Sequence, residues 1–146
     1  MADRTVFQSI SRQHLVTTSA QSTVFQAACV MTRAHSGSVL ILNDAGAALG
    51  IFTERDLLTK VVAKALDPGL TPIADVMTHN PFTVPPEMSV SDAVLLMKER
   101  RFRHLPIAAP NGKVLGMFSF RDASPREVIE AEDLADQLDS VTDVLA

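Results

Sequence analysis

Laid on itself at an offset of 66, the chain repeats: residues 23–57 fall on 89–123 without a gap. Ten pairs are identical: Val24/Val90, Ala27/Ala93, Met31/Met97, Ile41/Ile107, Gly46/Gly112, Leu49/Leu115, Gly50/Gly116, Phe52/Phe118, Arg55/Arg121 and Asp56/Asp122. Thr23/Ser89, Ile51/Met117 and Thr53/Ser119 are conservative pairs. A sequence that repeats in this way folds as two copies of one supersecondary unit. At roughly 60 residues, one copy alone buries too little surface to be secure. Two copies packed sheet to sheet solve that problem, and imply pseudo-twofold symmetry with two equivalent clefts between them.

Within each copy the pattern reads βαββα. Leu15–Thr18 and Pro81–Val84 are short β-rich starts. Val24, Ala27, Ala28 and Met31 recur at helical spacing behind a cap at Ser22 or Thr23, and Val90, Ala93, Val94 and Met97 do so behind Ser89. Ser38–Leu42 and Ala48–Phe52 read as strands around Asn-Asp-Ala-Gly; His104–Ala108 and Val114–Phe118 flank Pro-Asn-Gly. A second helix is expected over Glu54–Ala65, and its counterpart from Pro125. The expected fold is α+β: an N-terminal segment (1–10), a first repeat (11–70), a second repeat (71–130) and an acidic C-terminal helix or tail (131–146).

Hydrophobic residues make up 47% of the 146 positions, enough for a real core. Trp and Tyr are absent, which removes the usual stacking platforms for single-stranded nucleic acid, although seven Phe remain. Net charge is −4, unevenly spread: Glu127–Ala146 carries seven acids and no Lys or Arg, while residues 1–126 carry ten acids against thirteen bases. That balance opposes a nucleic-acid partner. No apolar run is long enough to span a bilayer, and the start lacks a secretory h-region. The single Cys29 cannot form an intrachain disulfide, and a reducing, cytoplasmic setting is expected.

Several segments resemble the CBS domain: Thr23-Val24-x-x-Ala27, then a hairpin, then Gly50-Ile51-Phe52-Thr53-Glu54-Arg55-Asp56-Leu57-Leu58. Asp75–Val84 and Arg103-His104-Leu105-Pro106-Ile107 carry the same likeness. The pair looks like a Bateman module over roughly residues 10–130. The resemblance implies a regulatory module that binds AMP, ADP, ATP, S-adenosylmethionine or a related adenosyl ligand, and that commonly forms a homodimer.

The last residues of the repeat carry the chemistry. Thr53-x-x-Asp56 and Ser119-x-x-Asp122 are, taken alone, ordinary helix caps with an acid in the first turn. A carboxylate there can also accept both hydroxyls of a ribose, and a hydroxyl with free backbone N–H groups at a helix start suits a phosphate. The resemblance implies the second reading: Asp56 and Asp122 hold ribose, and Thr53 and Ser119 help hold phosphate. It also implies that each motif meets contacts from the other repeat. Thr53 and Asp56 are then expected with Met77, Phe82, Arg103 and His104; Ser119 and Asp122 with Val16, Gly37 and Ser38. Ile51 and Met117 are candidates to flank the adenine. Arg suits bidentate phosphate contact, and Gly37-Ser38 offers no cation at the equivalent place. The Thr53/Asp56 site is therefore expected to bind phosphate more tightly. Ser124-Pro125-Arg126-Glu127 reads as its own capping box, so the second motif's helix is expected to start late.

His14, His35, His79 and His104 show no metal-ligand spacing, and no nucleophile elbow or Walker loop is present. The chain is read as a non-enzymatic sensor of the adenylate pool, acting on a separate, unidentified effector protein. An S-adenosylmethionine sensor and a ligand-free dimeric scaffold are the alternatives. Leu134, Leu138, Val141 and Leu145 form an apolar helical stripe in the acidic tail, suited to folding back or to meeting a partner.

Overall fold

The computed structural model describes residues 3–10 and 15–145, with side chains of the last helix described as far as Asp139. In chain order the elements are α1 (Val6–Ser9), β1 (Thr17–Thr18), α2 (Val24–Ala34), β2 (Ser38–Leu42), β3 (Ala48–Thr53) and α3 (Glu54–Asp56). There follow a π-helical segment (Leu57–Val62), α4 (Ile73–Val76), β4 (Thr78–His79), α5 (Val90–Arg100), β5 (His104–Ala108) and β6 (Val114–Ser119). A 3-10 turn (Phe120–Asp122) leads into α6 (Pro125–Leu145). The class is mixed α+β with tandem repeats, as expected.

The offset of 66 holds down to single hydrogen bonds. Thr23 and Ser89 cap α2 and α5, each hydroxyl accepting from the N–H three residues on. Both helices end in a left-handed residue that is not glycine, His35 (φ 51°) and Arg101 (φ 59°). In each the next N–H reaches back, Ser36 to the Met31 carbonyl and Phe102 to the Met97 carbonyl, both at 3.0 Å. This closing turn satisfies carbonyls that a helix end would otherwise orphan. Gly46 and Gly112 turn the two hairpins with φ of 83° and 89°, a region that glycine enters without steric cost.

The chain divides into two compact units, and these do not coincide with consecutive stretches of sequence. One holds the first repeat, from Leu15 to Phe82, with Pro110–Val114; the other holds residues 3–10, Thr83–Ala109 and residues 115–145. In the first-repeat unit the sheet order is β1-β2-β3-β4, with β1 parallel to β2 and the other pairs antiparallel. Its core comprises Val24, Ala27, Met31, Val39, Ile41, Phe52, Val61, Ile73, Val76 and Met77. In the second-repeat unit β5 pairs with β6, and Val84 bridges Ile107 in parallel, the counterpart of Thr18 beside Ile41. Its core repeats the same positions in Val90, Ala93, Met97, Leu105, Ile107 and Phe118.

The segment before each repeat completes the other repeat's unit. Ile73 at the start of α4 donates its N–H to Ser22 (2.8 Å), and Val24 donates to Thr71 (2.9 Å). At the other unit Val6, at the start of α1, donates to Met88 (2.8 Å), and Val90 donates to Arg4 (2.9 Å). Val6 and Ile10 are buried beside the second repeat as Ile73 and Met77 are beside the first. Val6 and Ile10 thus make the described part of the N-terminal segment, residues 3–10, part of a core.

Two helical readings change in detail. Over Glu54–Ala65 the winding is α only through Asp56 and then π through Val62, where Ala63 donates to Leu58 at 2.9 Å. Apolar spacing over two turns does not separate the two windings, because Leu57 and Val61 fall inward in either. The tail is a single helix from Pro125. It lies along α5, with Ser91 donating to Glu130 (2.9 Å), Lys98 facing Glu132 (3.8 Å) and Ala131 fully buried. Leu134 and Leu138 are exposed, and the side chains of Val141 and Leu145 lie outside the described residues.

Candidate functional site

Both Gly-x-Phe-[Thr/Ser]-x-Arg-Asp copies place their hydroxyl residue at the last position of a strand and their acid in the turn that follows. Thr53 and Ser119 share one extended backbone conformation, φ −118°, ψ 166° and φ −115°, ψ 158°. The turn is fixed in the same way in each to the residue that leads into the hairpin's first strand: Glu54 donates its N–H to the Gly37 carbonyl, and Phe120 to the Arg103 carbonyl, both at 3.0 Å.

In the first motif, Asp56 Oδ2 accepts the Thr53 N–H (3.0 Å), and Thr53 Oγ1 accepts the Asp56 N–H (3.2 Å). The capping reading is therefore physically realised. It fixes the carboxylate without using up all its acceptor capacity, since each oxygen offers two lone pairs. Lys60 Nζ lies 3.2 Å from the other oxygen, Oδ1, and 3.4 Å from Thr78 Oγ1. The Asp56 side chain is only 13% exposed.

Gly50, on β3, is the approach point of Met77: a Cβ there would stand 2.8 Å from Met77 Cγ and 2.9 Å from its Cε. Ile51 and Met77 are buried, Ser38 is buried, Val16 and Gly37 are half-buried, and Phe82 is exposed. Val16, Gly37, Ser38, Ile51, Thr53, Asp56, Met77 and Phe82 all belong to the first-repeat unit.

In the second motif, Asp122 Oδ2 accepts the Ser119 N–H at 2.8 Å. The chain then extends at Ala123 (ψ 139°), and a fresh capping box begins α6: Ser124 donates to Glu127 Oε1 (2.8 Å), and Glu127 donates back to Ser124 Oγ (3.3 Å). The late start expected from the sequence is present. Arg103 is exposed, with its guanidinium carbon 5.0 Å from the centroid of the Phe120 ring, a cation–π arrangement. His104, Met117, Ser119 and Asp122 are half-buried in the same unit.

Three contributors were missed by sequence reasoning. Lys60 was hidden inside an amphipathic helix. Ile10 takes at Gly116 the place that Met77 takes at Gly50; a shift of 67 for the segments before each repeat, instead of 66, would have revealed it. Arg4 donates from Nη2 to the Asp122 carbonyl (2.8 Å) and to Glu127 Oε1 (2.7 Å), tying the second motif to the start of α6.

Burial alone would push Glu127 up; hydrogen bonds from Arg4 and Ser124, and the Arg4 charge, outweigh it and hold the carboxyl below its ordinary value. The Arg4 guanidinium is correspondingly raised, chiefly by that hydrogen bond. A depressed carboxyl stabilises the fold above its unfolded-state pKa, and that stability is lost as pH falls through its folded-state value. Glu127→Gln is therefore expected to melt lower than wild type at neutral pH. The gap should begin to narrow at the ordinary carboxylate range, about pH 4, and close as pH falls through the lowered folded-state value. Melting curves across pH check this, and a gap constant with pH would contradict it.

Comparison with known proteins agrees with this architecture. An uncharacterized protein of Methanopyrus kandleri is 36% identical over 113 residues, covering 77% of this chain; the chain spans 58% of that relative's length. A putative signal-transduction protein with CBS domains from Burkholderia ambifaria superposes with a TM-score of 0.75 at 31% identity, covering 82% of this chain and 90% of that one. A CBS domain protein from Pyrobaculum aerophilum, complexed with AMP, superposes with a TM-score of 0.79 at 21% identity, covering 89% of this chain and 99% of that one. The CBS domain family itself matches twice, over residues 7–63 and 73–124, and this chain belongs to it.

Proposed function

We propose that the chain is a non-catalytic regulatory module that binds an adenine nucleotide, AMP, ADP or ATP, and passes the bound state to a separate effector protein. The observation that carries this is the twice-built [Thr/Ser]-x-x-Asp turn. In each copy a half-buried carboxylate is fixed by a backbone N–H at a strand end, with acceptor capacity left over for ribose hydroxyls. The Thr53 hydroxyl and Arg103 supply groups suited to phosphate. The Pyrobaculum protein of the same fold is complexed with AMP, which shows what that pair holds. The residues of this chain, not that likeness, carry the assignment. The module acts as a homodimer in a cytoplasmic setting; among the described residues no helix is long and apolar enough to cross a membrane.

Calorimetric titration with AMP, ATP and S-adenosylmethionine tests the ligand class. AMP or ATP is expected to bind more tightly than S-adenosylmethionine. Arg103→Ala should weaken AMP binding by about 10-fold, the size of one charge-assisted hydrogen bond. Equal AMP affinity in Arg103→Ala and wild type would remove the phosphate role, and tighter binding of S-adenosylmethionine would move the site to that ligand class.

A further inference from the structure

The two repeated acids differ in one respect that the sequence match conceals. Asp56 has both carboxylate oxygens engaged, Oδ2 by the Thr53 N–H (3.0 Å) and Oδ1 by Lys60 Nζ (3.2 Å). Asp122 has the equivalent backbone bond at Oδ2, but none of the four ion pairs among the described residues reaches its carboxylate. The cation is not missing from the second repeat: at the offset of 66, Lys60 falls on Arg126. Arg126 instead pairs with Glu130 at 3.0 Å. The cause is local. After Asp56 the helical winding runs on without a break, so a residue four places later returns to the same face. After Asp122 the chain extends at Ala123 and Ser124 restarts the helix, so Arg126 sits in the first turn of a different helix.

We infer that Lys60 is a specificity-determining residue of the Asp56 site, discriminating phosphorylated from neutral adenosyl ligands. This rests on the reading of Asp56 as the ribose acceptor. Ribose hydroxyls that approach Asp56 must share or displace the ammonium on Oδ1. A neutral nucleoside offers the displaced ammonium nothing in return, so the lost ion pair opposes binding. A ligand with a phosphate offers it a stronger anion, and four methylenes let Nζ swing to reach one. The Lys60 side chain is 41% exposed and its second neighbour, Thr78 Oγ1, lies at 3.4 Å, so little holds it in place. At Asp122 the neighbouring cation is Arg4, which is held on the Asp122 carbonyl (2.8 Å) and on Glu127 (2.7 Å) and forms no ion pair with the Asp122 carboxylate among the described residues.

The test is calorimetry with adenosine and AMP on wild type, Lys60→Met and Lys60→Arg, all in an Asp122→Ala background so that one motif is read. Lys60→Met keeps the stem and removes the charge. It should bind adenosine up to about 5-fold more tightly, the worth of an exposed ion pair, and AMP more weakly. The AMP-to-adenosine affinity ratio should fall at least 10-fold, while Lys60→Arg should hold it within about 3-fold. A ratio unchanged in Lys60→Met, with both ligands bound, overturns the proposal and leaves Asp56 as the ribose acceptor. Adenosine binding that appears only in Lys60→Met supports it. Failure of every variant to bind either ligand overturns the nucleotide reading itself, and this inference with it.

Discussion

Asp56→Ala is expected to weaken AMP binding by about 30- to 150-fold, because a carboxylate hydrogen-bonded to ribose contributes about 2–3 kcal/mol. The same substitution removes the acceptor of the Thr53 N–H, so it should also lower stability by about 1 kcal/mol, the usual worth of a lost cap. The two effects separate in Asp56→Asn. An amide oxygen still accepts the Thr53 N–H, so stability should stay near wild type. Its neutral oxygen is a weaker acceptor for hydroxyls, and the affinity loss should persist at about 10-fold or more. Titration beside thermal melting reads both quantities. Full AMP affinity in Asp56→Asn would show that the acid serves only as a cap.

The largest expected effect on stability lies one residue before each motif. Phe52 and Phe118 are both 0% exposed and occupy the same place in the cores of their respective units. Truncating either ring to Ala removes its buried area and leaves a cavity that the surrounding Val, Ile and Met side chains fill only partly. The expected cost is about 3–5 kcal/mol in each case. For a chain of this length that lowers the melting temperature by about 10–15 °C. The motif's Phe is thus structural: it anchors the strand end whose next residue, Thr53 or Ser119, begins the turn. A variant in which either substitution costs less than about 1 kcal/mol would show that the ring is not the anchor.

How much of this was legible in sequence follows from where the signal lay. Strands β2, β3, β5 and β6 and helices α2 and α5 were readable because an exact offset of 66 let weak periodicity in one copy be checked against the other. Thr23 and Ser89 were recognisable caps for the same reason. The late start of α6 was visible in Ser124-Pro125-Arg126-Glu127, since capping chemistry is local. What the sequence hid was non-local or chemically ambiguous. The exchange of α1 and α4 between repeats depends on long-range pairing of Thr5 with Ser89 and Thr23 with Pro72, which no short pattern records. The π winding after Asp56 keeps the apolar spacing of an α-helix. Lys60 reads as one more solvated lysine until its distance to Asp56 is known. Arg4, in the N-terminal segment before the first repeat, gives no sign in sequence of its tie to Glu127.

Adenine-nucleotide binding that needs Asp56 is open to direct measurement. Native mass spectrometry of the intact protein with AMP, ADP and ATP at up to about 1 mM, the weak end of specific affinity, tests it most directly. Discrete mass increments of at least one nucleotide per chain are expected in the wild type, strongly reduced in Asp56→Ala. The absence of any nucleotide adduct in the wild type, or adducts undiminished by Asp56→Ala, would contradict it.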